Sequence, residues 1–359
     1  MKNFEYTRRE FLNLTSLAAI GSVLSPDKIP LAKVESKSIC IDCQSHLLVP
    51  DIVDFMRKRT TDPLVYEKDG HSWIKMGDWH RKILPKHMDV PAKITDMDAN
   101  NVTITALSIN DPGPEWFDKD GLEAADIMNS FIANIVKQYP ERFIGLCVLP
   151  LQDRKAAEKE LDRCINKLGM RGILLYTNLA GSWPDEPKFR WLFAHAVKYD
   201  IPILLHPAKP STTEQVKGYN LTSMMGNMFE NTIALARIIA SGLLDEYPQL
   251  KIVCPHLGGT LPYIAGRFDH QVLVLKRSNQ NLKQKPSDYL RNIYYDIVSP
   301  LPLAMKFAVE FCGVDHLLFA SDHPWVGPKL IMECLESLNL KREDEEKILG
   351  INAQKIFNL

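Results

Sequence analysis

The sequence predicts an α/β fold, a (β/α)8 TIM barrel, and three observations carry that prediction. Eight short apolar runs lie at residues 38–46, 102–108, 142–150, 171–178, 201–207, 250–259, 293–299 and 316–324. Most are separated by stretches of helical periodicity, and strand alternating with helix implies a parallel sheet buried on both faces. Several runs end in chemistry-bearing residues: His46, His206, His256 and Asp322. The C-terminal ends of barrel strands are where such enzymes keep their active sites.

The elements follow in order. Residues 1–37 read as a targeting segment and linker. Thr7-Arg8-Arg9-Glu10-Phe11-Leu12 matches a twin-arginine export signal, and Phe11–Leu24 supplies the apolar core behind it. A polar linker, Pro26–Lys37, leads to the barrel at residues 38–359, and a periplasmic protein is expected. After the first strand, residues 51–90 break the rhythm with His71, Trp73, Trp79, His80 and His87. Lying on the catalytic face, this segment reads as a lid-like insertion whose histidines are surface residues. Helices are expected over Pro91–Asn100, Leu122–Tyr139, Arg154–Leu168, Pro187–Tyr199, Phe229–Tyr247, Leu261–Arg277, Pro302–Cys312, Pro328–Leu338 and Glu343–Phe357.

Composition narrows the class. A formal net charge of −1 with no long basic run gives no sign of a nucleic-acid partner. No apolar run is long enough to span a bilayer as a mature helix. Seven cysteines, an odd number, argue against a full disulfide framework. Cys40 and Cys43 form a C-x-x-C, but residues three apart on a strand point to opposite faces, so both read as packing residues.

Strand alternation places Asp42, Gln44 and His46 on one face of the first strand. His206 ends the fifth strand, His256 the sixth and Asp322 the eighth. Imidazoles and a carboxylate converging on one barrel mouth suit a divalent ion with an open position, which acts as a Lewis acid or activates water. Ser108, Asn110, Asn178 and Asp296 end other strands and could serve the pocket or cap turns. Trp183 and Trp325 sit on strand-end loops, where they could stack on a planar substrate or simply pack. His323 should point away from Asp322 by alternation.

At these residues the chain resembles the amidohydrolase superfamily, in the branch related to aminocarboxymuconate-semialdehyde decarboxylase. The marks are Asp42-Cys-Gln-Ser-His46, Leu205-His206-Pro207, Glu246 through His256-Leu-Gly-Gly259, Arg267-Phe-Asp269 and Ala320-Ser321-Asp322-His323-Pro324. Tyr139-Pro-Glu-Arg-Phe143 and Leu149-Pro-Leu-Gln-Asp153 agree as well. The resemblance implies one divalent metal held by His46, His206 and Asp322, and the nitrogen donors put Zn2+ ahead of Mn2+. It implies that His256 contacts substrate or moves protons, with Asp322 sharing that catalytic role. One position departs from the pattern: Gln44 stands where the family carries His or Glu. Three readings are ranked in this order: a weak oxygen ligand, a hydrogen-bonding residue for metal-bound water or substrate, and a metal-free site.

The reaction expected is non-oxidative decarboxylation of a small aromatic or unsaturated carboxylic acid, with Arg267 and Asn178 as candidate substrate contacts. The alternative is a hydrolase of the same superfamily acting on a lactone, ester or amide. A barrel that binds a small acid without turnover is the remaining class, favoured only by Gln44. A homodimer is entertained as the assembly.

Overall fold

The computed structural model describes residues 39–359, so the twin-arginine reading falls outside the described residues. The strands, in chain order, are β1 (Ile41–Leu47), β2 (Leu64–Lys68), β3 (His71–Met76), β4 (Trp79–Lys82), β5 (Ile104–Ile109), β6 (Phe143–Cys147), β7 (Gly172–Tyr176), β8 (Ile203–His206), β9 (Ile252–Cys254), β10 (Tyr294–Asp296) and β11 (Leu317–Leu318). Eight of them pair in parallel in the order β1-β5-β6-β7-β8-β9-β10-β11. The ring closes between β11 and β1. Cys43 donates its amide to Phe319 O at 2.9 Å, Asp322 to Gln44 O at 2.9 Å and His46 to His323 O at 2.8 Å. The fold is therefore the expected (β/α)8 barrel.

Apolar side chains fill the sheet from both faces. Ile41, Leu47, Phe143, Leu318 and Phe319 are each at most 1% exposed. Burying a side chain of this size contributes about 1.5–3 kcal/mol. The thiols of Cys40 and Cys43 lie in this packing, and all seven cysteines are free. Burial, reinforced by Asp42, pushes the Cys40 thiol up to about 12, which makes it inert as a nucleophile.

The long helices fall close to their expected positions: α1 (Pro50–Arg57) is added, then α2 (Val90–Ala99), α3 (Gly121–Gln138), α4 (Arg154–Asn166), α5 (Arg190–Tyr199) and α6 (Asn227–Ala240). Asp89 caps α2 by accepting from Ala92 N, and Asp153 caps α4 by accepting from Ala156 N. The expected helix over Phe229–Tyr247 is two, because Gly242 at φ 77° ends α6 and starts α7 (Leu243–Glu246). The helix expected over Leu261–Arg277 is likewise shorter. It consists of α8 (Ala265–Asp269) running into a single π turn at His270–Val274. An unexpected α9 (Pro286–Arg291) precedes β10. The chain ends with α10 (Pro302–Cys312), α11 (Pro328–Glu336), α12 (Arg342–Glu346) and α13 (Asn352–Phe357). None of the described helices is long and apolar enough to cross a membrane.

The insertion at residues 51–90 is ordered into α1 and an antiparallel sheet, β2-β3-β4. Asp69 and Gly70, at φ 53° and 72°, make the two-residue turn between β2 and β3. That pair of positive φ values is the kind of hairpin turn an Asp-Gly dipeptide favours. β4 is an edge strand of this small sheet, and it lines the cavity over the barrel mouth.

Candidate metal centre and active site

His46, His206 and Asp322 converge where β1, β8 and β11 end. One donor atom from each lies within 4.8 Å of the other two. Their hydrogen bonds fix which atoms face one another. Ser108 donates its hydroxyl to Ser45 O at 3.3 Å, so its oxygen accepts the Nδ1 proton of His46 at 2.7 Å. That leaves a lone pair on His46 Nε2, which is buried without a hydrogen-bond partner and 3.3 Å from Asp322 Oδ1. His206 gives its Nδ1 proton to Pro207 O at 2.8 Å and so also keeps a lone pair on Nε2. Burial, with His46 beside it, holds the His206 imidazole well below 6.5, in the neutral form. The two rings meet edge to face with centroids 4.4 Å apart.

Two imidazole lone pairs therefore face a carboxylate in a buried space, an arrangement that lacks a positive charge. Burial alone would raise the Asp322 pKa, but His256 beside it outweighs burial and holds the carboxyl well below its usual range. Two neutral imidazoles and an ionised carboxylate are the donor set of a divalent cation. The residues present fit such an ion.

His256 closes the other side of the site. Its Nε2 lies 3.7 Å from Asp322 Oδ2. Asn231, fully buried on α6, presents its amide nitrogen to His256 Nδ1 at 3.1 Å. In the neutral ring Nδ1 accepts and the proton sits on Nε2, toward Asp322; the charged ring adds a proton on Nδ1, which the Asn231 amide receives with its oxygen when its two ends are exchanged. Asp296 holds the backbone by accepting from His256 N at 2.7 Å. Burial opposes a charge on His256, but Asp322 and Asp296 overcome it and raise its pKa above 6.5. His256 and Asp322 both adopt left-handed backbone, φ 55° and 50°, a costly conformation that clusters at functional sites.

Gln44 reaches the same carboxylate. Its Nε2 donates to Asp322 Oδ1 at 3.2 Å and lies 3.5 Å from His256 Nε2, while Oε1 is buried without a partner. In this orientation the amide acts as a donor rather than as the oxygen ligand ranked first from sequence. Rotating the amide would exchange the two ends.

Beneath the cluster runs a buried polar network. Lys93, on α2, donates to Ser45 Oγ at 2.6 Å and approaches His323 Nδ1 at 2.7 Å. His323 Nε2 lies 2.8 Å from Asp96 Oδ2, so His323 points away from the metal set, as alternation requires. Burial lowers the Lys93 ammonium to about 7. Asp42, also buried, is pushed up to about 6 although Ser321 donates to it from both its hydroxyl and its amide.

A cavity of about 1020 Å3 opens over the cluster, lined by His206, His256 and Asp322 at its base. Arg81 of β4 lies in its wall, stacked 4.3 Å from Trp79 and 4.8 Å from Trp325, and paired with the buried Asp111 at 2.7 Å. His87, expected at the surface, is 2% exposed and packs 4.4 Å from Trp325 in the same wall. The insertion thus lies over the catalytic face, as expected, whereas Arg81 and Asp111 carry no motif or spacing that marks them in the sequence.

The two substrate contacts expected from sequence are not brought to the cavity. Arg267 is exposed on α8, away from the lining. Asn178 serves a turn, donating to Lys209 O at 2.8 Å and accepting from Gly181 N at 2.8 Å. Ser108 and Asp296 instead position His46 and His256, while Asn110 accepts from Trp325 Nε1 at 3.0 Å. Trp183 stacks on Arg237 at 5.3 Å.

The amidohydrolase family profile matches residues 41–359, and the chain belongs to that family. Among its relatives is the gamma-resorcylate decarboxylase of a Rhizobium species, 28% identical over 299 residues, covering 79% of this chain and 91% of that protein. The 2-amino-3-carboxymuconate-6-semialdehyde decarboxylase of Dictyostelium discoideum is 27% identical, covering 90% of this chain and 92% of that protein. A dihydroxybenzoic acid decarboxylase from Polaromonas, solved with manganese and the inhibitor 2-nitroresorcinol, is 25% identical with a TM-score of 0.75. That match covers 90% of this chain and 97% of the other.

A testable consequence concerns Glu115, buried near Asp111 with one oxygen unpartnered. Burial, helped by Asp111, raises its carboxyl from 4.5 to about 8. The folded protein therefore holds a proton that the unfolded chain releases, and stability should fall as pH rises through that window. In Glu115→Gln this part of the slope should vanish between about pH 5 and 8 in urea unfolding. An identical slope in wild type and variant would show that Glu115 is ionised throughout.

Proposed function

We propose that the protein is a metal-dependent non-oxidative decarboxylase of a small aromatic or unsaturated carboxylic acid. The observation that carries this reading is the pair of imidazole lone pairs and the ionised Asp322 facing one position beside a proton-bearing His256 Nε2. The names of the Rhizobium, Dictyostelium and Polaromonas relatives support decarboxylation over hydrolysis of a lactone, ester or amide.

His46, His206 and Asp322 would hold a divalent ion, which would supply positive charge to an acidic substrate when bound. His256, whose pKa is raised above 6.5 against burial by Asp322 and Asp296, holds in its charged form the Nε2 proton destined for the ring carbon that bears the carboxylate, and returns to the neutral ring on giving it up. As that carbon gains its C–H bond, the bond to the carboxylate breaks. Its electron pair returns to the ring and CO2 leaves. Asp322, 3.7 Å from His256 Nε2, steadies the charged imidazole, and Trp79 and Trp325 supply flat walls for an aromatic ring.

Purified protein given 2,6-dihydroxybenzoate or related hydroxybenzoates should release CO2 and the corresponding phenol. Both should be lost on chelation and fall by at least about a hundredfold in His256→Ala, the upper end of effects ascribed to general acids and bases being larger still. Metal-loaded protein that hydrolyses lactones but releases no CO2 across the panel would replace this reading with the hydrolase one.

We propose Zn2+ as the ion, because two nitrogen donors suit a borderline metal; manganese in the Polaromonas enzyme makes Mn2+ the rival, and elemental analysis separates them. For Gln44 the same measurement extends to variants. As a ligand, Gln44→Glu should tighten metal binding and Gln44→Ala weaken it by about 10–100-fold. As a donor to Asp322 or substrate, both should keep metal affinity and shift the substrate constant instead.

Export by the twin-arginine route is proposed from Arg8, Arg9 and the apolar stretch behind them. Arg8→Lys with Arg9→Lys should retain the protein in the cytoplasm, and unchanged periplasmic delivery would remove the assignment. A homodimer is also proposed. The exposed apolar residues Tyr263, Leu301, Leu303 and Phe307 line one groove, a surface of the kind that marks an interface. A monomer in sedimentation at micromolar concentration would refute it.

A further inference from the structure

The cavity above the cluster offers more room than a single-ring acid fills. Its volume of about 1020 Å3 lies at the top of the range, about 300–1,000 Å3, in which drug-sized ligands are buried. A single-ring acid anchored by its carboxylate would leave most of that space to water.

Two separate excursions of the chain build the extra space. From the insertion after β1, the edge strand β4 contributes Trp79, Arg81 and Lys82. The segment after β8, residues 207–226, contributes Lys217, Asn220, Thr222 and Ser223. An ion pair joins the two, Lys217 Nζ to Asp78 Oδ2 at 3.6 Å. Asn178, donating to Lys209 O, ties down the root of the second excursion.

The chemistry of the walls is graded. The residues that directly follow His206 in the lining are Pro207 and Ala208, and Met228 and Val298 add further apolar surface. Farther along, the segment after β8 adds the amide of Asn220 and the hydroxyls of Thr222 and Ser223. Arg81 is already neutralised by Asp111. A rim of hydroxyl and amide groups suits a ligand end that carries hydroxyl groups.

We infer that the substrate is an extended aromatic acid of about two-ring size. Its carboxylate lies at the cluster, its second ring along the Trp79–Arg81–Trp325 stack, and its hydroxylated far end against Asn220, Thr222 and Ser223. The inference rests on the decarboxylase reading for the position of the carboxylate, and on the cavity alone for the far end.

Two probes test it by calorimetric titration of the metal-loaded full chain. One is 2,6-dihydroxybenzoate, and the other is the same acid carrying a hydroxyphenyl ring opposite its carboxyl group. The extended acid should bind at least about tenfold more tightly. Thr222→Ala combined with Asn220→Ala should weaken the extended acid by about tenfold and the single-ring acid by less than about twofold. Equal affinities for the two probes, or equal losses in the double variant, would overturn the inference. Release of CO2 from each probe is scored separately. Selective binding of the extended acid without CO2 would keep the inference and remove the decarboxylase reading. CO2 from the single-ring acid without any binding preference would do the reverse.

Discussion

Closure of the barrel between β1 and β11 is the contact on which the site depends. The amide of Asp322 donates to Gln44 O and that of His46 to His323 O, so two chain segments almost the length of the barrel apart are held in register by backbone bonds. Register between strands is unforgiving, since a slip of one residue turns every side chain to the other face. It is this seam that puts the Asp322 carboxylate 3.3 Å from His46 Nε2 and 3.2 Å from Gln44 Nε2. His206 arrives separately from β8, opposite Tyr176 in the register of β7 and β8.

Charge buried around the seam is handled by hydrogen bonding. Asp42 accepts from Ser321 and Gln44, Lys93 contacts Ser45 and His323, and His323 reaches Asp96. A buried ionisable group without such partners would cost several kcal/mol. Here the network shifts protonation instead: Lys93 falls to about 7 and Asp42 rises to about 6. The side chains beneath the metal set are thus locked by partners on β1, α2 and the segment after β11. Sites supported in this way keep their donor atoms within the narrow geometry a metal requires.

The cavity wall comes from outside the barrel. The barrel supplies donors at its strand ends, whereas the insertion and the segment after β8 supply the surface that faces a substrate. The stack of Trp79, Arg81 and Trp325 joins the two parts, because Trp325 follows Asp322 by three residues and Arg81 lies on β4. A guanidinium between two indoles, anchored by Asp111, makes that wall rigid as well as flat. The division separates chemistry from recognition, as is common in barrel enzymes, where loops vary over a constant core.

The barrel was legible in the sequence because strand and helix periodicities are local. The runs around 38–46 and 316–324 and the helix at Pro302–Cys312 reveal themselves within a dozen residues. His46, His206, His256 and Asp322 were legible for the same reason, since each ends its own apolar run. Residues whose roles depend on distant partners were not legible. Arg81 and Lys93 gain meaning only from Trp325 and His323, more than 200 positions away in the chain. Arg267 and Asn178 looked like substrate contacts, but helix orientation and turn geometry carry their side chains elsewhere. Sequence alone determined which groups stand at the strand ends, because alternation and periodicity act over a few residues. Only the tertiary structure decided which of them face one another, because that is set by barrel closure and by the burial of partners from remote segments.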